Sequence, residues 1–212
     1  MKLSIALKSL LGAGALTLPL LAFSESNVQT GAATASPGAT AHLDFSIVIP
    51  KVLYLRVGTG SAYATGALTS VNTIDLITFT PAAGTVGNGT AVAGTGGDLT
   101  GGVETAAIVS NSGNVTLNAT ASGALTDTTS DTIPFTQITT AASTLTSTTA
   151  LPAPTLSNGT SSNVVLTAPA SKLIVQDAKW TYSYANAANV PAGTYGGVNT
   201  GNSRVVYTAT MP

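Results

Sequence analysis

The chain has 212 residues, of which only 7% are charged, with no cysteine and a single histidine, His42. Ordinary soluble proteins carry about 25% charged residues, so a surface this neutral offers little repulsion between copies of itself. The missing cysteines exclude disulfides, thiolate metal sites and thiol catalysis, and a formal charge of −1 excludes a basic surface for nucleic acid or an anionic membrane.

Lys2 and Lys8 precede an apolar run from Leu10 to Phe23, with Ala22 and Ser24 at small-residue positions. That pattern predicts a signal peptide over residues 1–24. A transmembrane anchor is the rival reading, but the run is shorter than the roughly 20 residues a bilayer needs, and Gly12, Gly14 and Pro19 interrupt it. Cleavage after Ser24 leaves 188 of the 212 residues, and losing Lys2 and Lys8 leaves five basic against eight acidic side chains, a formal −3. The product is expected outside the cytoplasm, through the periplasm if the cell is Gram-negative.

Residues 25–41 are small and polar without an apolar stripe and read as a flexible arm. At residue 42 the period becomes two, and a single domain is expected over 42–212. Leu43, Phe45, Ile47 and Ile49 share one face of HLDFSIVIPKVLYLRVG, with His42, Asp44 and Ser46 on the other. The same phase resumes at Leu53, Leu55 and Val57, which predicts one long strand or two collinear ones, with Pro50 marking an edge or a bulge. Phe45, Ile47, Leu53 and Leu55 are the expected core residues of this stretch, and Asp44, Ser46 and Arg56 its surface.

Further strands are predicted at residues 74–80, 103–110, 115–120, 164–168, 173–176, 179–184 and 204–211, rich in Val, Ile, Thr and Tyr between Gly, Asn, Pro and Ser. SNSGN at 110–114 reads as a hairpin turn. The Gly-rich stretch 81–102 reads as an exposed loop or weak edge structure, and the Thr/Ser-rich stretch 139–163 as a long surface loop. No amphipathic helical stripe follows residue 24. The expected fold is all-β: an antiparallel β-sandwich, Ig-like or pilin-like, with long Gly- and Thr-rich loops.

Catalytic chemistry finds little footing. His42 is the only candidate base and stands where the arm meets the first strand, a poor place to hold an imidazole rigid. Zinc lacks a second nitrogen or sulfur ligand. Asp127 and Asp131 in DTTSD lack the dense ligand spacing of a calcium loop. Gly87 and Gly89 begin a GxGxxG-like run, but Val92 takes the third glycine position and no GK[ST] follows. No enzyme activity, metal or cofactor is expected. The N-x-T triplets at Asn88, Asn114, Asn118 and Asn158 are unremarkable in so Thr- and Asn-rich a chain.

Trp180, Tyr182 and Tyr184 alternate and therefore share a strand face. Exposed, they form a platform on which sugar rings stack; packed against the final strand, they fill a core. The second reading is the stronger, because aromatic rings dominate core burial.

IVSNSGNVTLNAT, DTIPFTQI, AKWTYSYAN, VPAGTYGG and SRVVYTATMP form an ordered series. It resembles the C-terminal plan of secreted bacterial β-sandwich subunits related to fimbrial and spore-coat-like proteins, in which an AGTY-type turn precedes a last alternating strand. The resemblance covers roughly residues 103–212 and a hydrophobic first strand at 42–58, without the disulfide that many chaperone-assembled pilins carry. It implies a structural subunit of a cell-surface fibre, partnered by copies of itself and by an assembly chaperone or outer-membrane machinery.

In such a fibre one subunit contributes an extended segment to the sheet edge of the next. Either the arm 25–41 or the strand 42–57 is the contributor, and the latter buries far more, through Leu43, Phe45, Ile47, Ile49, Leu53 and Leu55. A secreted carbohydrate-binding or adhesive module using the Trp180, Tyr182 and Tyr184 face is the alternative.

Overall fold

The computed structural model describes residues 26–33, 38–60 and 68–212; the expected signal segment lies outside them. The chain divides after Ile49 into two units, and the one that holds every strand described below is Pro50–Pro212. The domain therefore starts eight residues later than the periodicity implies.

Eleven strands occur among the described residues: β1 Leu53–Val57, β2 Ile77–Phe79, β3 Val92–Gly96, β4 Val103–Ser110, β5 Val115–Ala121, β6 Leu125–Thr126, β7 Thr132–Ile133, β8 Ile138–Ser143, β9 Val164–Leu166, β10 Ile174–Tyr184 and β11 Val205–Thr210. Every pairing is antiparallel. One sheet runs β1-β4-β10 with β8 on the far side of β10, and β3 and β2 extend it beyond the start of β4; a second runs β11-β5-β9; β6 and β7 form a small pair. The all-β, antiparallel expectation holds.

Period two explains which faces are buried. On the first sheet the register aligns Leu53, Leu55 and Val57 with Ser110, Ile108 and Ala106, and these with Ile174, Gln176 and Ala178. On the second, Val115, Leu117, Ala119 and Ala121 lie opposite Leu166, Val164, Tyr207 and Val205. The apolar members of both rows belong to one core cluster, and Ile108, Val115, Leu117 and Trp180 are fully buried in it.

Three expectations are corrected. SNSGN is not a hairpin: β4 and β5 lie in different sheets, and since Ser110 and Val115 must both face inward, residues 111–114 carry the chain across. The two strands expected at 173–176 and 179–184 are one, because Asp177 is buried within β10 rather than breaking it. The Gly-rich stretch holds β3, and its preceding loop is pinned by Asn186, fully buried, whose amide donates to Thr85 O at 2.7 Å while its Oδ1 accepts from Gly87 N at 2.8 Å.

The stretch 139–163 is likewise not a free loop. Its first part forms β8, and the strap that follows buries its own Leu151, Pro154 and Leu156. Asp177 holds the strap's start. Its Oδ1 accepts from the backbone N–H groups of Thr146 and Ser147 at 3.0 and 2.7 Å, and its Oδ2 accepts from the Thr146 hydroxyl. Trp180 Nε1 then donates to Leu151 O at 2.8 Å.

Candidate functional site

The aromatic face is core. Trp180, Tyr182 and Tyr184 are 0%, 6% and 6% exposed, so they offer no stacking platform, and the sugar-binding reading of these three residues is corrected. The reason is the final strand: Tyr207 of β11 stacks on Trp180 with centroids 5.4 Å apart, and its hydroxyl meets that of Tyr182 at 2.9 Å. Burial disfavours the ionised form of both phenols and pushes their pKa up, that of Tyr207 to about 12.

The strand expected to fill the first part of the core is only half present. Leu53, Leu55 and Val57 in β1 pack against the core cluster as expected. Residues 43–49 form no strand, and Leu43, Phe45, Ile47 and Ile49 are 75%, 85%, 85% and 77% exposed. The expected burial of Phe45 and Ile47 is therefore corrected. Period two is present, but among the described residues of its own unit no strand stands beside the segment to supply a ladder. Asp44 and Ser46 are exposed as expected, whereas Arg56 is partly covered and ion-paired with Asp98 at 2.8 Å.

The junction between this segment and β1 is fixed. Asn111, in the β4–β5 crossing, accepts from Val52 N through Oδ1 at 2.8 Å, donates its backbone N–H to Val52 O at 3.3 Å, and donates its amide to Pro50 O at 2.8 Å. These bonds hold Pro50 to Val52 along the end of β4.

The two open flanks of the core differ. On one, the strap with buried Leu151, Pro154 and Leu156 passes from the edge of the first sheet to the second, where Ser161 N donates to Ala119 O and Ala121 N to Gly159 O at 2.8 and 3.2 Å. On the other, β1 and β11 are the outermost strands of their sheets and approach one another without a ladder between them. Their inward residues Leu53, Leu55, Val57, Val205, Tyr207, Ala209 and Met211 all remain partly exposed. Among the described residues no further strand lies beyond β1 or β11 in its sheet, and two outermost strands beside an apolar floor are the features that accept an added strand.

One end of that floor is acidic. Glu104, on the inward phase of β4 and the Cα partner of Trp180, is 5% exposed and accepts from Asp98 N through Oε2 at 3.2 Å. Gly58, directly after β1, faces it: a Cβ there would lie 2.9 Å from Glu104 Oε2 and 2.3 Å from Asp75 Oδ2, and its φ is +82°, so glycine is required. Burial, with the nearby Asp75 and Asp98 charges adding to it, pushes the Glu104 carboxyl up to about 7.

No other constellation rivals this flank. A cleft of about 280 Å³ between β8 and the strap is lined by Thr136, Thr139, Thr140, Thr155 and aliphatic groups, without a charged side chain. Among the described residues no group of three His, Cys, Asp or Glu is placed to hold a metal ion, and no helix is long and apolar enough to cross a membrane. Asp127 and Asp131 instead close a local turn in which Asp127 Oδ1 accepts from Thr129 N and Asp131 N at 2.9 and 2.8 Å. Comparison with family models, curated proteins and solved structures finds no match to the chain.

Proposed function

We propose that the protein is a structural subunit of a cell-surface fibre, exported through residues 1–24, in which each copy lends residues 42–49 to the open flank between β1 and β11 of the next. One observation carries this reading. The chain displays an alternating, exposed apolar row and, separately, a core left uncovered along one flank.

The two match in length and spacing. Leu43, Phe45, Ile47 and Ile49 are four apolar residues two apart, as are Val205, Tyr207, Ala209 and Met211; each row spans about 20 Å at the rise of an extended chain. Burying a Leu, Ile or Phe side chain yields about 1.5–3 kcal/mol, so four such groups, together with main-chain bonds to the outer strands β1 and β11, make a strong joint. Residues 43–49 belong to no strand, and the acceptor in this reading is another copy. A head-to-tail contact that does not close into a ring continues as a filament.

Leu53 and Leu55 act on the accepting side in this reading, since β1 is already paired with β4. An export-side chaperone that shields the open flank before assembly fits the same geometry. The carbohydrate-binding alternative loses its platform, because the three rings it needs are core. Electron microscopy of the purified mature protein tests the proposal: uniform filaments are expected from the unmodified chain and none from a chain carrying Ile47→Asp and Ile49→Asp. Monodisperse, folded monomers from the unmodified chain at high concentration would refute it.

A further inference from the structure

Resting on that reading, we infer that strand addition is proton-linked through Glu104: the open flank takes a donated strand tightly when this carboxyl is protonated and releases it when the carboxyl is ionised. The inference starts from where Glu104 stands. It is the one acidic residue on the inward phase of β4, followed there by Ala106, Ile108 and Ser110. Its neighbour across the register on one side is Trp180; on the other, past the end of β1, its Oε2 stands 2.9 Å from where a Cβ on Gly58 would lie. It therefore lies at the end of the apolar floor that a donated segment covers.

The groups facing it explain why its proton is held and why docking tightens the hold. Asp98, from the β3–β4 loop, and Asp75, from the segment before β2, are both acidic and raise its affinity for a proton. Arg56 of β1 is the nearby cation, and its guanidinium reaches Asp98 Oδ2 at 2.8 Å. Tyr182 of β10 and Tyr207 of β11 complete the surroundings, and both feel the Glu104 charge. Burial of Glu104 outweighs the Asp98 backbone N–H that it accepts, so its carboxyl holds the proton tightly.

A donated strand removes further water from this end of the flank. Burial disfavours the ionised form of a carboxyl, so the joined state binds the proton more tightly than the open one. Linkage fixes the sign: affinity is greatest below the range in which the open-state carboxyl titrates and falls as pH rises through it. Each unit by which docking raises the carboxyl corresponds to a tenfold change in affinity between the two ends of that range.

The test uses the full mature chain with Ile47→Asp and Ile49→Asp, which disables its own donor and leaves its open flank free. The probe is a fluorescent, N-acetylated peptide of residues 41–51 with His42→Ala, and the chain carries the same change, so that neither partner contains an imidazole. Binding is measured by anisotropy at pH 5.5 and 8.5, with circular dichroism checking that the chain is folded at both. The expected result is binding about tenfold or more weaker at pH 8.5, and equal binding at the two values when Glu104→Gln is added. Binding that varies less than twofold without Glu104→Gln, or a pH dependence that survives that change, overturns the proton linkage and leaves strand addition standing. Failure to bind at either pH, in both chains, overturns strand addition and the linkage with it.

Discussion

The hydroxyls of Tyr182 and Tyr207 meet at 2.9 Å, joining the longest strand of one sheet to the last strand of the other. Tyr182 is 6% exposed, so its hydroxyl depends on Tyr207 for a partner. Tyr207→Phe is expected to cost about 1 kcal/mol, the usual net worth of such a bond together with the penalty for an unmet buried group. The double change with Tyr182→Phe should cost less than the two single changes added together. Urea titrations of the four chains measure this; strict additivity would mean the hydroxyls do not interact.

Asp177 is fully buried on the face of β10 away from the aromatic row and is met by hydrogen bonds from Thr146 and Ser147. Asp177→Ala is expected to cost about 3 kcal/mol or more, because several bonds to one charged group are lost together. Hydrogen exchange should accelerate first in residues 144–150. A chain whose stability and exchange are unchanged would mean that the strap is held by its apolar residues alone.

Stability should also depend on pH through Glu104. Its carboxyl is held at about 7 in the folded chain against an ordinary value of 4.5, so the folded state binds the proton more tightly than the unfolded one. The resulting stability is fully present below about pH 4.5 and is lost as pH rises through about 7. Glu104→Gln should remove this part of the pH profile in denaturant titrations. An unchanged profile between pH 4.5 and 8 would place the titration elsewhere.

Phe45→Ala should leave the stability of Pro50–Pro212 within about 0.5 kcal/mol, as exposed substitutions do, while abolishing filaments. Leu55→Ala, in the paired and packed β1, should instead cost about 2–5 kcal/mol. The same denaturant titration separates them, and a comparable loss from Phe45→Ala would mean that Phe45 fills its own chain's core.

Those two residues also mark how far the sequence could be read. Alternation identifies Leu55 and Phe45 equally well, since both lie on one phase of one apolar run. Period two reports which residues belong on one face, not whether a neighbouring strand exists to cover it. The boundary is set by Asn111, whose three bonds to Pro50 and Val52 end the paired region, and nothing in SNSGN announces that clamp. Strands β4, β5 and β11 were legible almost to the residue because both their composition and their bounding turns agree. β3 and β8 were not, being built from Gly, Thr and Ala, whose strand character comes from their partners rather than from their own side chains.

For the open flank, the legible part was the apolar row of 43–49 and the final alternating strand. Glu104 carried a signal that was not used: an acidic residue in phase with Ala106 and Ile108 within VETAAIVS. Asp75 and Asp98 carried none, since only folding brings their segments to Glu104. The burial of Trp180, Tyr182 and Tyr184 required Tyr207, 23 residues beyond Tyr184, and so depended on which sheet the last strand joins.

Because the chain has no cysteine, the exchange of segments between copies can be trapped directly. Chains carrying Ile47→Cys are mixed with chains carrying one cysteine at Val205, Ala209 or Met211, oxidised under mild conditions and resolved on a non-reducing gel. A chain bearing both cysteines is oxidised in parallel. The account predicts a cross-linked heterodimer from at least one mixture and, from the doubly substituted chain, a ladder of covalent oligomers that reduction collapses. Monomers alone from every mixture, or a doubly substituted chain that closes only on itself, would contradict it.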